Sequence, residues 1–375
     1  MKEGWTYKKL GEVCRIERGG SPRPIKDFIT QDSNGLNWIK IGDTDPQGKY
    51  IYSTKEKIKP EGLRKSRWVE EDEFLLSNSM SFGRPYILKT NGCIHDGWLV
   101  LRDYQKNLFI DFFYYMLLSS NVQKQFKSKA QGSTVSNLNT DRVASVSVSF
   151  PSIQEQQRIV SRLDAAFAHI DELKANAEKQ LSEARALFQK ALTKAMEPKE
   201  GWTNMKLGEF AYMKAGDFVK ASEIFSEYKD GLFPCYGGNG FRGYVRESNQ
   251  DGDYCMIGRQ GALCGCINRA KGIFRTTEHA VIVKPYDNIP TSLVYYMLIS
   301  LNLNKYSTGA AQPGLSVKNI AEQVIISVPP KEEYNRIVSR LDSLSAHVRE
   351  LEEVTQKTIA ECDALKQALL RKVFE

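Results

Sequence analysis

The sequence predicts an α+β fold in which two mixed α/β domains are separated by two long helices that pair as an antiparallel coiled coil. Two observations support this prediction. Residues 158–164 and 336–342 both read Arg-Ile-Val-Ser-Arg-Leu-Asp, and a repeat of about half the chain length indicates two copies of a domain. Each copy also has short β-type runs followed by a long segment with an apolar heptad pattern.

The globular part of the repeat has diverged more than the helices. Matching motifs lie 197 residues apart at Lys-Glu-Gly-Trp-Thr, 181 apart at Tyr-Tyr-Met-Leu and 178 apart along the helices. Length changes collect in surface loops on a fixed scaffold, so we expect a constant frame that holds two different recognition surfaces. The expected segments are domain 1 at 1–151, helix one at 152–197, domain 2 at 198–330 and helix two at 331–375.

The composition is that of a soluble protein with no membrane segment. Mean hydropathy is -0.42, and no apolar run approaches the roughly 20 residues that span a bilayer. The seven cysteines are irregularly spaced, which favours free thiols in a reducing cytoplasm. The only close pair, Cys264-Gly265-Cys266, lacks the further ligands of a zinc site, so we expect no metal.

The positive charge lies on the globular domains. The chain has a net charge of +7, of which the two domains carry +8 and the helices −1. This distribution is compatible with nucleic acid meeting the globular domains. An ordinary, mildly basic surface would look the same, so charge alone leaves both interpretations open.

The two long segments are predicted to pair because apolar residues recur at alternating steps of four and three. Antiparallel packing of the two helices would give a pseudo-twofold axis within one chain, and a coiled coil with another subunit is the alternative. The predicted seam consists of Ile159, Leu163, Ile170, Leu173 and Leu187 in helix one and Ile337, Leu341, Val348, Leu351, Leu365 and Leu369 in helix two.

The repeat is effectively circular. Helix one is followed by Lys-Glu-Gly-Trp at 199–202, and the chain begins with the same motif at 2–5. We therefore expect the two termini to be neighbours. Trp5 and Trp202 are expected to pin each domain to the end of a helix.

Candidate contacts to nucleic acid are polar side chains on turns. Arginine can bond bidentately to guanine and glutamine to adenine, although the same residues often contact only phosphate or have a structural role. A Gly-Arg pair recurs at 83–84 and 258–259, which we interpret as matching places in the two domains. The candidates are Arg18, Ser21, Arg23, Lys40, Ser81 and Arg84 in domain 1, and Arg242, Tyr244, Arg246, Arg259 and Gln260 in domain 2.

Catalytic and cofactor motifs are missing from the sequence. It has no Walker loop, and no glycine-rich turn suggests a methyl-donor or dinucleotide site. His95-Asp96 and Glu278-His279 have no identifiable third partner, so we expect satisfied polar residues rather than a catalytic group. The sequence predicts a protein that is not an enzyme and that has no cofactor.

Together these features resemble the specificity (S) subunit of type I restriction-modification systems. The resemblance covers the whole chain and is most specific in three stretches. These are Gly-Ser-Thr-Val-Ser-Asn-Leu-Asn at 132–139, Gln-Glu-Gln-Gln-Arg-Ile-Val at 154–160 and Gly-Ala-Ala-Gln-Pro-Gly-Leu-Ser at 309–316. The second copy departs from the family signature Glu-Gln-Gln, because it reads Glu333-Tyr334-Asn335 there.

The resemblance implies that each domain is a target-recognition domain that reads one half of a bipartite site in double-stranded DNA. The helix pair would set the gap between half-sites and dock two methylase subunits, through which restriction/translocase subunits join. Two alternatives remain at this point: a coiled-coil scaffold or adaptor with two protein-binding heads, and a standalone DNA-binding repressor.

Overall fold

The structure, a computed structural model, describes residues 2–46, 48–78, 82–130, 138–261, 263–308 and 314–375. Ser81 lies outside these ranges, as do 309–313 and most of the 132–139 motif. The chain forms two compact units: unit 1 contains residues 1–176 and 357–375, and unit 2 contains residues 177–356. We use the names domain 1 and domain 2 for residues 1–151 and 198–330.

Domain 1 is built from short strands and three helices. A five-stranded sheet in the order β2-β11-β8-β9-β5 packs against the helices, a second sheet has the order β3-β6-β4-β10-β7, and β1 pairs with β12. The strands are β1 (Thr6–Lys9), β2 (Arg15–Arg18), β3 (Ile29–Thr30), β4 (Leu36–Ile39), β5 (Tyr50–Ile51), β6 (Glu56–Ile58), β7 (Arg67–Val69), β8 (Phe74–Ser77), β9 (Pro85–Leu88), β10 (Gly92–Ile94), β11 (Trp98–Arg102) and β12 (Ser147–Phe150). The helices are α1 (Ile110–Leu118), α2 (Ser120–Lys129) and α3 (Thr140–Ala144).

A long helix, α4 (Ile153–Ala195), leaves domain 1. Domain 2 then has a six-stranded sheet in the order β14-β19-β17-β18-β15-β16 and a separate β13-β20 pair. A second long helix, α8 (Lys331–Phe374), ends the chain. The other elements are β13 (Thr203–Lys206), α5 (Leu207–Phe210), β14 (Ala211–Ala215), β15 (Phe233–Gly237), β16 (Gly240–Val245), β17 (Gln250–Gly258), β18 (Ile267–Thr276), β19 (Ala280–Pro285), α6 (Thr291–Ser300), α7 (Val317–Gln323) and β20 (Ile325–Val328).

The two long helices pair in antiparallel order within each unit. In unit 1, the Lys366 ammonium is 2.5 Å from the Asp171 carboxylate, and Lys174 is 3.6 Å from Asp363. In unit 2, Arg185 is 2.7 Å from Glu352 and the Thr355 hydroxyl donates to the Ala177 carbonyl at 3.4 Å. As the residue number rises along α4 it falls along α8, so the predicted direction is confirmed.

Three predicted seam residues are on the outside of the pair. Leu173 and Leu187 are both 59% exposed, and Leu365 is 49% exposed. The shielded positions of α4 recur strictly every three and four residues at 170, 174, 177, 181, 184 and 188, so the next residue, Lys174 or Phe188, faces inward instead. The predicted seam used the leucine one residue before the shielded position. One residue along a helix turns the side-chain direction by about 100°, so these leucines point away from the partner helix. The other eight seam residues are buried or half-buried: Ile159, Leu163, Ile170, Ile337, Leu341, Val348, Leu351 and Leu369.

The chain termini lie together, as the circular repeat predicts. In unit 1 the Lys2 ammonium donates to the Val373 carbonyl at 2.5 Å, and the Trp5 ring packs edge-on against Phe374 with centroids 6.4 Å apart. In unit 2 the Trp202 indole N–H donates to Glu333, near the start of α8, at 3.3 Å. Each tryptophan therefore fixes its domain to an end of α8.

The repeated Tyr-Tyr-Met-Leu motif joins each domain to a long helix by a partly buried polar contact. The Tyr115 hydroxyl donates to the Asp164 carboxylate of α4, and the Tyr296 hydroxyl donates to Asp342 of α8 at 2.6 Å. Asp164 and Asp342 are the last residues of the seven-residue identity. The most similar stretches of the repeat are thus the ones that hold the frame together.

Candidate DNA interface

In both domains three chain segments meet at one end of the main sheet, and we call this place the loop edge. In domain 1 it consists of residues 18–23, the described part of 78–84, and 94–98; in domain 2 it consists of 215–218, the described part of 258–266, and 276–280. Gly19 N donates to the Trp98 carbonyl at 2.9 Å, and Gly216 N donates to the Ala280 carbonyl at 3.0 Å. A Cβ at Gly19 or Gly216 would lie 2.1 Å from a carbonyl oxygen of the opposing turn, so only glycine permits this approach.

The hairpin of each loop edge starts at Asn78 in domain 1 and at Arg259 in domain 2. Asn78 N donates to the Gly97 carbonyl and Arg259 N to the His279 carbonyl, both at 3.0 Å. The carbonyl of Asn78 accepts from Leu138 N at 3.0 Å, and that of Arg259 accepts from Leu315 N at 2.8 Å. Asn78 and Arg259 are therefore equivalent positions on the common frame.

This equivalence corrects the interpretation of the two Gly-Arg pairs. The Arg84 backbone carbonyl accepts from Ser77 N at 3.0 Å, whereas the Cys266 backbone carbonyl accepts from Gly258 N at 2.8 Å. Ser77 precedes Asn78 as Gly258 precedes Arg259. Arg84 thus corresponds to Cys266 and not to Arg259. The sequence comparison failed here because the two hairpins differ in length, so identical dipeptides fall on opposite arms.

The basic turn of domain 1 is gathered around Asp96. The Ser21 hydroxyl donates to the Asp96 carboxylate at 2.7 Å, and the Arg23 guanidinium lies 3.3 Å from its other oxygen. Arg18 Nε and the Asn78 amide donate to the backbone carbonyl of Asp96 at 3.2 and 2.9 Å. The Ser21 hydrogen bond lowers the pKa of the Asp96 carboxyl below its usual range, against the opposing effect of burial. Three of the candidate residues thus form one cluster with an acidic centre.

The other candidates of domain 1 are less closely grouped. Lys40 forms an ion pair with Glu56 at 2.7 Å. The half-buried Arg84 guanidinium lies over the Tyr86 ring, 5.5 Å from its centroid. Neither side chain has a contact with the Asp96 cluster among the residues that the structure describes.

In domain 2, Arg242 and Gln260 line a cavity of about 370 Å³ together with Gly238, Asn239, Gly261 and His279. Tyr244 packs on the ring of Phe241, with centroids 5.2 Å apart. Arg246 lies elsewhere, over the Phe225 ring at 5.8 Å. The domain 2 loop edge therefore brings Arg242, Arg259 and Gln260 to one place and leaves Arg246 outside it.

Buried polar atoms without a hydrogen-bond partner lie at both loop edges; among the described residues they are Asn78 Oδ1, Arg84 Nε and Trp98 Nε1 in domain 1 and four atoms in domain 2. Within the described residues, Arg259 Nε, Thr277 Oγ1, Glu278 Oε2 and His279 Nδ1 are buried and have no hydrogen-bond partner. Since such a group costs roughly 1–3 kcal/mol, their clustering calls for an explanation. The expectation of satisfied polar residues was therefore wrong for Glu278-His279.

The polar atoms of His95-Asp96 have close partners, but both ring nitrogens of His95 face a backbone N–H, and a neutral imidazole can accept at only one of them. His95 Nδ1 is 2.6 Å from the Gly97 backbone nitrogen and Nε2 is 3.2 Å from that of Ile41. Burial lowers the pKa of His95. Sequence reasoning missed Asn78 entirely, because nothing in the local pattern distinguishes it from an ordinary turn residue.

Three further observations concern the chain as a whole. No helix in the described part of the chain is long and apolar enough to cross a membrane. All seven cysteines are unpaired. No group of three or more His, Cys, Asp and Glu side chains in the described ranges could hold a metal ion.

Comparison with known proteins identifies the family. A family model described as "Type I restriction modification DNA specificity domain" matches residues 2–183 and 199–361. The chain belongs to this family. The EcoprrI specificity subunit of Escherichia coli is 28% identical over 361 residues, which cover 92% of this chain and 89% of the relative. The EcoKI specificity subunit of Escherichia coli strain K12 is 23% identical and is covered to 89% by the whole of this chain.

Solved structures of low sequence identity show the same fold. A chain from a study described as "Structural basis underlying complex assembly and conformational transition of the type I R-M system" matches with a TM-score of 0.79 at 20% identity, covering 100% of this chain and 98% of that one. The HsdS subunit from Thermoanaerobacter tengcongensis matches with a TM-score of 0.55 at 22% identity, covering 100% and 97%. Members of this specificity-subunit family are non-catalytic, which agrees with the missing catalytic motifs.

Proposed function

We propose that this specificity subunit reads a bipartite target in double-stranded DNA, with one half-site bound by the loop edge of each domain. The main support is that one frame of backbone hydrogen bonds carries two chemically different edges. Arg259 replaces Asn78, and a cavity beside Arg242 replaces the Asp96 cluster. Base edges are distinguished by the donors and acceptors that face them, so different side chains on one frame would read different sequences.

The residues proposed to contact DNA fall into two groups. Arg18 and Arg23 of the Asp96 cluster, and Arg242, Arg259 and Gln260 at or beside the domain 2 loop edge, are proposed to contact bases through their long donor side chains. The remaining candidates are proposed as contacts to the phosphate backbone, which positions a protein without specifying sequence. This second group contains Ser21, Lys40, Ser81, Arg84, Tyr244 and Arg246.

The helix pair is proposed to set the gap between half-sites and to dock two methylase subunits. Leu187 and Leu365 support this role because they occupy equivalent positions in the two copies, 178 residues apart, and are 59% and 49% exposed. Two equivalent apolar positions fit two copies of one partner. Restriction/translocase subunits would join through the methylases, and the complex would act in the cytoplasm.

The domains carry only a small net positive charge of +8 in total. Because DNA affinity depends on the number of phosphates that a protein neutralises, the isolated chain should bind DNA modestly. The methylase subunits are proposed to supply much of the remaining grip on the duplex.

The deciding experiment is selection from random duplex DNA with the purified chain, alone and with the methylase of its host. We expect one motif of two half-sites separated by a fixed gap, weak enrichment by the chain alone, and a complex mass that fits one chain with two methylases. The complex should transfer methyl groups from a labelled donor, and the chain alone should not. A single unbroken motif, or no motif in either sample, would contradict the proposal.

A further inference from the structure

The domain 2 loop edge contains an acidic residue whose state the proposed contacts leave unexplained. Glu278 Oε1 lies 3.1 Å from His279 Nε2, and the side chains of the two residues are 29% and 38% exposed. Glu278 Oε2 is buried without a hydrogen-bond partner among the described residues. One carboxylate oxygen is therefore held by the imidazole, while the other has no group to accept from.

The surroundings of this carboxylate are those of a binding site. His279 lines the cavity of about 370 Å³ that Arg242 and Gln260 also line. The peptide N–H of Arg259 is bonded to the His279 carbonyl at 3.0 Å, so the Arg259 side chain starts beside the same turn. Burial raises the pKa of the nearby Cys235 thiol, which Arg242 and Arg275 lower and Glu278 raises. Arg242, Gln260 and His279 thus line one cavity, and Glu278 adjoins it through its contact with His279.

The equivalent turn of domain 1 provides an internal comparison. Its acidic residue, Asp96, has both carboxylate oxygens engaged, one by Ser21 at 2.7 Å and one by Arg23 at 3.3 Å. In domain 2, Phe218 occupies the position of Ser21 and Lys220 that of Arg23. Phe218 is 69% exposed. Both carboxylate oxygens of Asp96 have partners within domain 1, whereas Glu278 Oε2 has none among the described residues.

We propose that Glu278 is a specificity-determining residue of domain 2, and that it accepts a hydrogen bond from the exocyclic amino group of a base, cytosine N4 or adenine N6, in the major groove. His279 is its positioning residue, because it holds the second oxygen. This inference rests on the proposed function. Carboxylates accept from cytosine N4, and arginine or glutamine beside them can bond the neighbouring purine, so Arg242, Arg259 and Gln260 complement the site.

Presenting a carboxylate oxygen to a base requires a change of the Glu278 rotamer about χ1 or χ2, because Oε2 is buried and a half-turn about the last torsion would only put the chemically identical Oε1 in its place. The side chain is 29% exposed, so such a change brings the carboxylate toward the surface while the backbone stays fixed. Side-chain rotamer changes of this size are common when interfaces form. The hydrogen bond to the base would then remove the cost of an unpaired buried acceptor.

The test compares Glu278→Met, Glu278→Ala and His279→Ala with wild type in selections from random duplex DNA, using the full-length chain with its methylase. We expect preference at one C or A position of half-site 2 to fall by about 5- to 150-fold, the range that one good pair of bonds to a base supplies. His279→Ala should relax the same position less, because the carboxylate remains but is no longer held. Half-site 1 should be unchanged in all three variants.

The matched control is Glu322→Gln, which removes the same charge from an exposed side chain on α7 of the same domain. It should leave both half-sites unchanged. An unchanged half-site 2 in a folded Glu278 variant would overturn the proposal. So would uniform weakening at every position, or relaxation at a G or T. Circular dichroism and the retained half-site 1 distinguish these results from misfolding, and absence of any bipartite motif with wild type would instead contradict the proposed function.

Discussion

The acidic residues of the two loop edges differ in how far their carboxylate oxygens are paired. In domain 1 the acidic centre, Asp96, accepts from Ser21, and its backbone carbonyl accepts from Asn78. In domain 2 the corresponding turn leaves Glu278 Oε2 and His279 Nδ1 unpaired. Two copies of the same backbone frame therefore differ in the side-chain partners of the acidic residue in the turn.

This difference indicates where sequence variation is tolerated. The Gly19 and Gly216 contacts and the hydrogen bonds of Asn78 N and Arg259 N are all made by backbone atoms. The two glycines cannot be replaced, because a Cβ would clash with the opposing turn. The side chains at positions 78 and 259 can change without breaking the frame, because the backbone bonds there do not depend on them. The Tyr115–Asp164 and Tyr296–Asp342 bonds, in contrast, are made by side chains, and both are kept.

The largest effect is expected from lengthening the frame itself. Seven residues inserted after Ala177 and seven after Thr355, which face each other across the pair, preserve the 3.5-residue repeat and add roughly 10 Å to each helix. The recognised gap should lengthen by about three base pairs of 3.4 Å. Binding to the original target should fall by about 10²–10⁴-fold, because the second half-site can no longer be engaged at the same time.

Selection from random DNA measures both the gap and the half-sites. Insertion into α4 alone is the control, since it puts the two seams out of register and should destabilise the chain without producing a new gap. If the double insertion keeps the original gap, the helices do not set the distance between the half-sites, and the two loop edges are not held at a fixed separation by the helix pair.

A smaller effect should distinguish the two edges from each other. Arg259→Ala should relax one position of half-site 2 by roughly 1–3 kcal/mol if Arg259 contacts a base. Arg84→Ala should act on half-site 1 only. It should weaken all sequences alike and reduce the salt dependence by about one phosphate contact, because Arg84 is proposed as a phosphate contact and does not occupy the place of Arg259.

The measurement is binding to each half-site at several salt concentrations, with the other variant as the matched control. Loss of both half-sites in either variant would show that the arginine stabilises the fold. A base-specific change in Arg84→Ala would instead mean that the second arm of the hairpin also reads sequence in domain 1.

The frame could be predicted from the sequence because it depends on regular patterns. The heptads gave the paired helices, and the circular repeat placed Lys2 next to Val373. The exact seam was less predictable, since Lys174 faces inward and Leu173 outward. A long lysine stem can cover apolar surface while its ammonium reaches an acidic partner, so hydrophobicity alone does not identify the inner residue.

The loop edges were harder to predict because they depend on pairing between distant segments. Asn78 and Arg259 are equivalent only through bonds to Gly97 and His279, and no dipeptide pattern reveals this. The same limit explains the error at Glu278: whether a carboxylate is satisfied depends on which loop faces it, and the facing loop changed between the copies.

The smallest expected effect comes from Asp96→Asn, which tests whether the domain 1 edge is held by its acidic centre. The lowered pKa of Asp96 means that its contribution to stability is fully present above its unfolded pKa of about 3.9 and is lost as the pH falls through the folded value. Because the side chain is 46% exposed, the loss at pH 7 should be only about 0.5–1 kcal/mol, or a fall in Tm of roughly 1–4 °C.

The control is Asp103→Asn, which removes the same charge from an ion pair with Arg15; the Asp103 side chain is 68% exposed. Asparagine also suits the positive φ of 59° at this position. Thermal unfolding at pH 7 and near pH 3 should show a difference between wild type and Asp96→Asn that shrinks at the lower pH, and none for the control. A difference that stays constant with pH would mean that Asp96 contributes through packing rather than through its charge, and the contrast between the two loop edges would then be one of shape.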